Sequence, residues 1–119
     1  MLKIYGLKQC STCQKVIKLM QSEGFELSPM IDIRQEPPTI EELERVYQSY
    51  EGHIRKMLNT SGQAYRDLNL KNRLEDLSKD EVFTLMLEDG MLIKRPLILD
   101  NEKGSAGSNI KQLKQIWSI

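Results

Sequence analysis

Lys8-Gln9-Cys10-Ser11-Thr12-Cys13 holds the only two cysteines of this 119-residue chain, and the residues on either side of it decide how the rest is read. Ahead of it, Leu2, Ile4 and Tyr5 read as a short apolar strand that Gly6 breaks. Behind it, Val16, Ile17 and Met20 follow Cys13 at i+3, i+4 and i+7, on one face of a helix. Ser11 with Gln14 matches a capping box, so the helix begins inside the motif. Cys10 therefore stands before a helix N-terminus, where free N–H groups and the macrodipole stabilise a thiolate. Lys8 adds positive charge nearby. This placement predicts Cys10 as the nucleophile and Cys13, one turn in and more buried, as the resolving thiol.

Other uses of the pair fit less well. A zinc site takes about four ligands, and the chain offers two thiols and one distant histidine, His53, so no bound metal is expected. A purely structural disulfide across so short a loop would restrain little of the unfolded chain. Redox or sulfur-nucleophile chemistry is the expectation.

The length suits one domain, 1–119, with a modest single core. Seventeen basic residues balance seventeen acidic ones, so no global field points to nucleic acid or to an anionic membrane. No signal peptide and no bilayer-spanning run is visible, and a cysteine pair at a strand–helix junction is not a secreted disulfide framework. A cytoplasmic setting is expected.

Outward from the motif, Gly24 ends the first helix and an extended run covers Phe25–Leu27 and continues through Met30, Ile31 and Ile33 to Arg34. Strand, helix, strand is a βαβ unit. Glu36-Pro37-Pro38 then breaks the chain. Thr39 with Glu42 is a capping box that opens a helix with Ile40, Leu43, Tyr47 and Tyr50 on its apolar period. A short helix carrying Ile54, Met57 and Leu58 inward, a turn at Asn59-Thr60-Ser61-Gly62, and one or two helical turns at Tyr65 and Leu68 follow. Ser78 with Glu81 caps another helix, which Gly90 ends. Residues 37–89 thus read as a mostly helical insert. Leu97-Ile98-Leu99 is a buried strand and 100–104 a hairpin turn; Ser105–Ser108 makes a poor strand by itself. Ile110, Leu113 and Trp117 close the domain as a helix.

The order of strand, Cys-x-x-Cys, helix, strand, proline-led hairpin and final helix is that of an α/β thioredoxin or glutaredoxin fold (βαβ plus ββα). More specifically the chain resembles the arsenate-reductase-like family that includes ArsC and the Spx and MgsR regulators. The stretches that carry the resemblance are Gln9-Cys10-Ser11-Thr12-Cys13, Glu36-Pro37-Pro38, Leu58-Asn59-Thr60-Ser61-Gly62 and Lys94-Arg95-Pro96-Leu97. The resemblance implies that Pro96 is a cis-proline and that Arg95 is a cation facing Cys10. It also implies a substrate site near Ser11, Thr12, Asn59 and Pro96.

ArsC enzymes of this kind surround the arsenic with three arginines and use one cysteine. Here only Arg95 has a counterpart, Asn59-Thr60-Ser61 and Gly104–Ser108 hold no arginine, and Cys13 is an addition. The expectation is a thiol–disulfide oxidoreductase with no bound cofactor, served by an external thiol reductant such as glutathione or a redoxin. Its substrate would be a disulfide or an oxyanion. Arsenate reduction is the first alternative. The second is a redox-sensing regulator of the Spx kind, which would bind RNA polymerase rather than nucleic acid directly.

Overall fold

Four short strands, β1 (Lys3–Gly6), β2 (Ile31–Asp32), β3 (Leu97–Leu99) and β4 (Gly104–Ala106), form one sheet of order β2-β1-β3-β4 in a computed structural model that describes residues 1–119. β1 is parallel to β2 and antiparallel to β3, and β3 is antiparallel to β4. Side chains alternate across the two central strands as the pleat requires. Ile4 and Ile98 point to one face, where they meet Val16 and Met20 of α1 (Ser11–Ser22) and Leu113 and Trp117 of α6 (Ile110–Trp117). Tyr5, Leu97 and Leu99 point to the other, into a larger core built with the intervening helices. These are α2 (Ile40–Ser49), α3 (Gln63–Asp67), α4 (Leu70–Arg73) and α5 (Lys79–Glu88), with 3-10 turns at Ile54–Met57, Leu74–Asp76 and Gly90–Leu92. The thioredoxin-like βαβ and ββα halves therefore share one sheet.

Several elements differ from the sequence reading. Gly6 belongs to β1 rather than breaking it; a Cβ there would lie 2.9 Å from both Cys13 Sγ and Met30 Sδ, so the glycine lets the strand approach the buried sulfur. The extended run over 25–34 is not one strand. Leu27 makes a single bridge to Leu2, and the Ser28 hydroxyl, not a carbonyl, receives the Ile4 N–H. Pro29 follows with no N–H to give, and pairing resumes only at Ile31. α5 stops at Glu88, with Asp89 as its C-cap, immediately ahead of Gly90; a Cβ on Gly90 would run into the Ile33 carbonyl. Ile40 and Ile110 are exposed, each being the first residue of its helix, ahead of the turns that pack.

Ser105 and Ala106, from a stretch that makes a poor strand by itself, belong to β4, which is fully buried. Tertiary partners rescue it: Tyr50 Oη donates to the Ala106 carbonyl and accepts from the Ala106 N–H, at 2.9 and 2.8 Å, while Trp117 Nε1 donates to Ser105 Oγ at 2.9 Å.

Both capping boxes of the helical segment form, at Thr39/Glu42 and Ser78/Glu81. The first has a second task. Glu42 is 5% exposed, and its carboxylate accepts from Tyr5 Oη at 2.7 Å and Thr39 N at 2.9 Å, with Lys3 Nζ 2.9 Å away. Burial raises its pKa, but these donors outweigh burial and hold it below the usual carboxylate value. A depressed carboxylate stabilises the fold above its unfolded pKa, about 4.3, and that contribution fades as pH falls through the folded value. Glu42→Ala strands the Tyr5 hydroxyl and the Thr39 N–H and is expected to cost about 2–3 kcal/mol at neutral pH. Denaturant titrations should show the gap from wild type narrowing in acid. A gap independent of pH would contradict the role given to the carboxylate.

Candidate functional site

Cys10 is itself the N-cap of α1: its backbone is extended (φ −86°, ψ 114°) and its Sγ accepts the Cys13 N–H at 3.3 Å. The predicted Ser11/Gln14 capping box does not form. Gln14 instead donates through Nε2 to the Lys8 carbonyl, and the sulfur takes the role a hydroxyl usually fills. No carboxylate occupies the first turn of α1, so the Cys10 sulfur is the group that meets the positive end of the helix.

The two sulfurs are treated oppositely. For Cys10, partial burial raises the pKa, but hydrogen bonds from the Cys13 thiol and from the Cys13 and Thr12 amides, with the charge of Arg95, bring it below the ordinary thiol value. Cys13 is fully buried, and burial pushes its thiol up to about 11, against a hydrogen bond from the Leu7 backbone and together with the proximity of Cys10. Cys10 remains partly accessible, and both cysteines are free thiols. Alkylation of the reduced protein at mildly acidic pH should therefore label Cys10 first, at a rate above that of a free thiol of pKa about 8.5. Peptide mapping that finds Cys13 labelled first would reverse the roles.

Arg95 reaches the site from the other side. The Arg95–Pro96 peptide is cis, and the guanidinium Nη1 donates to the carbonyls of Met91 (3.1 Å) and Ile93 (3.3 Å). Its Nε is buried without a partner. These contacts present the cation to a cavity of about 260 Å³, walled by Cys10, Thr12, Asn59, Ser61, Lys94, Arg95, Gly107 and Ser108. Cys10, Thr12, Asn59 and Arg95 are thus brought together. Ser11 is exposed and lies on no wall of this cavity, since it faces outward from the first turn of α1. Pro96 is buried behind the cavity, its carbonyl accepting the Gly107 N–H at 3.0 Å.

Sequence reasoning overlooked Lys94 as a second cation. Its aliphatic stem lies over Gly107, where φ is +88° and a Cβ would come within 2.6 Å of Lys94 Cδ. A larger hollow of about 660 Å³ lies on the opposite side of Cys10, between Lys8, Met30 and the Asp32–Arg34 ion pair. Cys10 is therefore open from two directions. No three His, Cys, Asp or Glu side chains converge on a common point that could hold a metal ion, and His53 sits elsewhere, its Nδ1 2.8 Å from the Tyr50 carbonyl. No helix is long and apolar enough to cross a membrane.

The geometry of a capped cysteine, a cis-proline and a facing arginine extends over a matching chain: the model of the ArsC family covers residues 5–116. The chain belongs to the ArsC family. It is 41% identical to protein YusI of Bacillus subtilis over 98% of each chain, and 30% identical to the regulatory protein MgsR of the same organism, over 97% of this chain and 89% of MgsR. Among solved structures it resembles the arsenate reductase from Vibrio cholerae, with 28% identity, a TM-score of 0.76, and 99% and 96% of the two chains covered. The ArsC family thus includes arsenate reductases and regulators on one thioredoxin-like fold.

Proposed function

We propose that this ArsC-family chain is a thiol–disulfide oxidoreductase in which Cys10 attacks and Cys13 resolves. The observation that carries the reading is the asymmetry of the pair: an accessible sulfur that caps a helix and accepts amide protons stands in front of a buried one held protonated. The first is the more readily ionised of the two, and the second is kept in reserve within reach of it. Arg95 and the first turn of α1 stabilise the thiolate before attack and the leaving thiolate afterwards. An external thiol, glutathione or a redoxin, returns the oxidised pair to dithiol. The test is turnover of a small disulfide with such a reductant, compared between wild type and Cys10→Ser.

The wall of Lys94, Arg95, Asn59 and Ser61 favours a second reading, in which the cavity holds an oxyanion such as arsenate against Cys10. Kinship with MgsR supports a third, a redox switch for a regulator that binds RNA polymerase. Arsenate turnover and capture of polymerase from an extract are the measurements that would favour either over the first.

A further inference from the structure

A third hollow, an open groove of about 700 Å³, lies beside the Cys10 cavity and shares Lys94 with it. Arg55, Lys56, Thr60, Glu75 and Lys94 are on its walls, and Lys94 also borders the Cys10 cavity. The loop Asn59–Ser61 divides the two spaces, with Thr60 toward the groove and Asn59 and Ser61 toward the cavity. The juxtaposition is held by backbone pairing. Leu58 and Ile93 form an antiparallel bridge, Lys94 N donates to Met57 O at 2.8 Å, and Asn59 N donates to Leu92 O at 2.9 Å. Lys94 is thereby locked beside the turn that carries Arg55 and Lys56.

The charge of this groove is one-sided. The ion pairs of the molecule are Lys3–Glu42, Arg34–Asp32 and Lys79–Glu44, so Arg55, Lys56 and Lys94 have no carboxylate within 4.0 Å. Glu75 is the one acidic residue on the walls. Because the chain as a whole carries zero formal charge, the excess is a local concentration and not the reflection of a basic protein. The hollow on the far side of Cys10 is less one-sided, since Asp32 neutralises Arg34 there and leaves Lys8 as its one unpaired cation.

We infer that the groove docks an acidic polypeptide segment and delivers its disulfide to Cys10. This rests on the thiol–disulfide reading and names its substrate class. The Cys10 thiolate attacks one substrate sulfur, the substrate S–S bond breaks, and the other sulfur leaves as a thiolate that is protonated by water. Cys13 then gives up its proton and attacks Cys10 Sγ, and the second substrate sulfur leaves as a thiol. Two electrons pass to the substrate, the Cys10–Cys13 disulfide remains, and an external thiol reductant restores it. The unpaired cations raise the encounter rate with an acidic segment, and salt weakens that attraction.

The experiment uses three synthetic peptides of one length, with acidic, neutral or basic residues flanking a cysteine held as a mixed disulfide with thiopyridine. Release of thiopyridone by reduced protein is followed in stopped flow at low and high salt. At low salt the acidic peptide should react at least about tenfold faster than the neutral one, in the range that electrostatic steering provides. High salt should shrink that ratio, and the double variant Arg55→Glu, Lys56→Glu should bring it to one or below. Equal rates for acidic and neutral peptides at low salt, or a preference that survives both salt and charge reversal, overturns the assignment. The salt comparison needs wild-type protein alone, so the result does not hang on the folding of the variant. A Cys10-dependent reaction without charge preference sinks only the groove; no Cys10-dependent reaction with any peptide sinks the thiol–disulfide reading itself.

Discussion

Cys10→Ser will show no reduction of a model disulfide above background, whereas Cys13→Ser, with no external thiol present, will react once and stop as a mixed disulfide. Serine is a good N-cap and can accept the Cys13 N–H that Cys10 Sγ accepts, so the variant should keep α1 and lose only the nucleophile. Cys13→Ser leaves the nucleophile in place and removes the thiol that would release the product. The electrostatics order the steps. While Cys10 is a thiolate, its proximity helps hold the buried Cys13 protonated, near a pKa of about 11. Once Cys10 is in a mixed disulfide that charge is gone, Cys13 ionises more readily, and its attack on Cys10 follows.

Wild type oxidised mildly should lose a mass of about two hydrogens, with no free thiol remaining. The rate of first attack should fall as pH drops through the lowered pKa of Cys10, because only the thiolate attacks. Turnover by Cys10→Ser, no mixed disulfide on Cys13→Ser, or an oxidised monomer with both thiols titratable would each contradict this assignment.

Arsenate reduction by the wild-type protein is expected to be feeble beside that of an arsenate reductase with three arginines, the arrangement implied by the resemblance described above. The thiolate must attack arsenic in a dianion, whose charge has to be held in the transition state. Arg95 supplies a guanidinium whose Nη1 already donates to the Met91 and Ile93 carbonyls, and the Cys13 amide is already engaged by Cys10 Sγ. Two missing guanidinium contacts, at about 1.5–3 kcal/mol each, amount to about 3–6 kcal/mol. That corresponds to a hundredfold to ten-thousandfold loss, roughly, in kcat/KM. Lys94 returns part of it, but an ammonium is a point charge without the planar fork, so it replaces at most one of the two contacts. A deficit of at least about tenfold remains. Asn59→Arg, which puts a guanidinium on the cavity wall, should raise arsenate turnover more than disulfide turnover, because only the arsenate is a dianion. Arsenate turnover by wild type at ordinary enzyme rates, abolished in Arg95→Ala, would reinstate the oxyanion reading.

What the sequence by itself determined is what short-range chemistry encodes. Cys10 and Cys13 are one helical turn apart, so their positions at the head of α1 follow from three residues of spacing. Thr39 with Glu42, and Ser78 with Glu81, close capping boxes entirely within themselves. Arg95-Pro96 was legible through its place in a family pattern.

Tertiary structure decided the rest, wherever a residue's meaning depends on a partner far along the chain. Glu42 reads locally as a cap and becomes a buried anchor only when β1 brings Tyr5 and Lys3 to it. The sequence Gly104-Ser105-Ala106 has little strand preference and forms β4 because Tyr50 and Trp117 satisfy its polar groups. Lys94 belongs to a stretch that carries the family resemblance, but nothing in the sequence marks it as a cation of the site. It becomes a wall of the Cys10 cavity, and the link to Arg55 and Lys56, through the Leu58–Ile93 bridge and the side-chain room left by Gly107. A spacing rule sees neighbours within a few residues of one another, whereas an electrostatic field sums over charges that only the folded chain brings together.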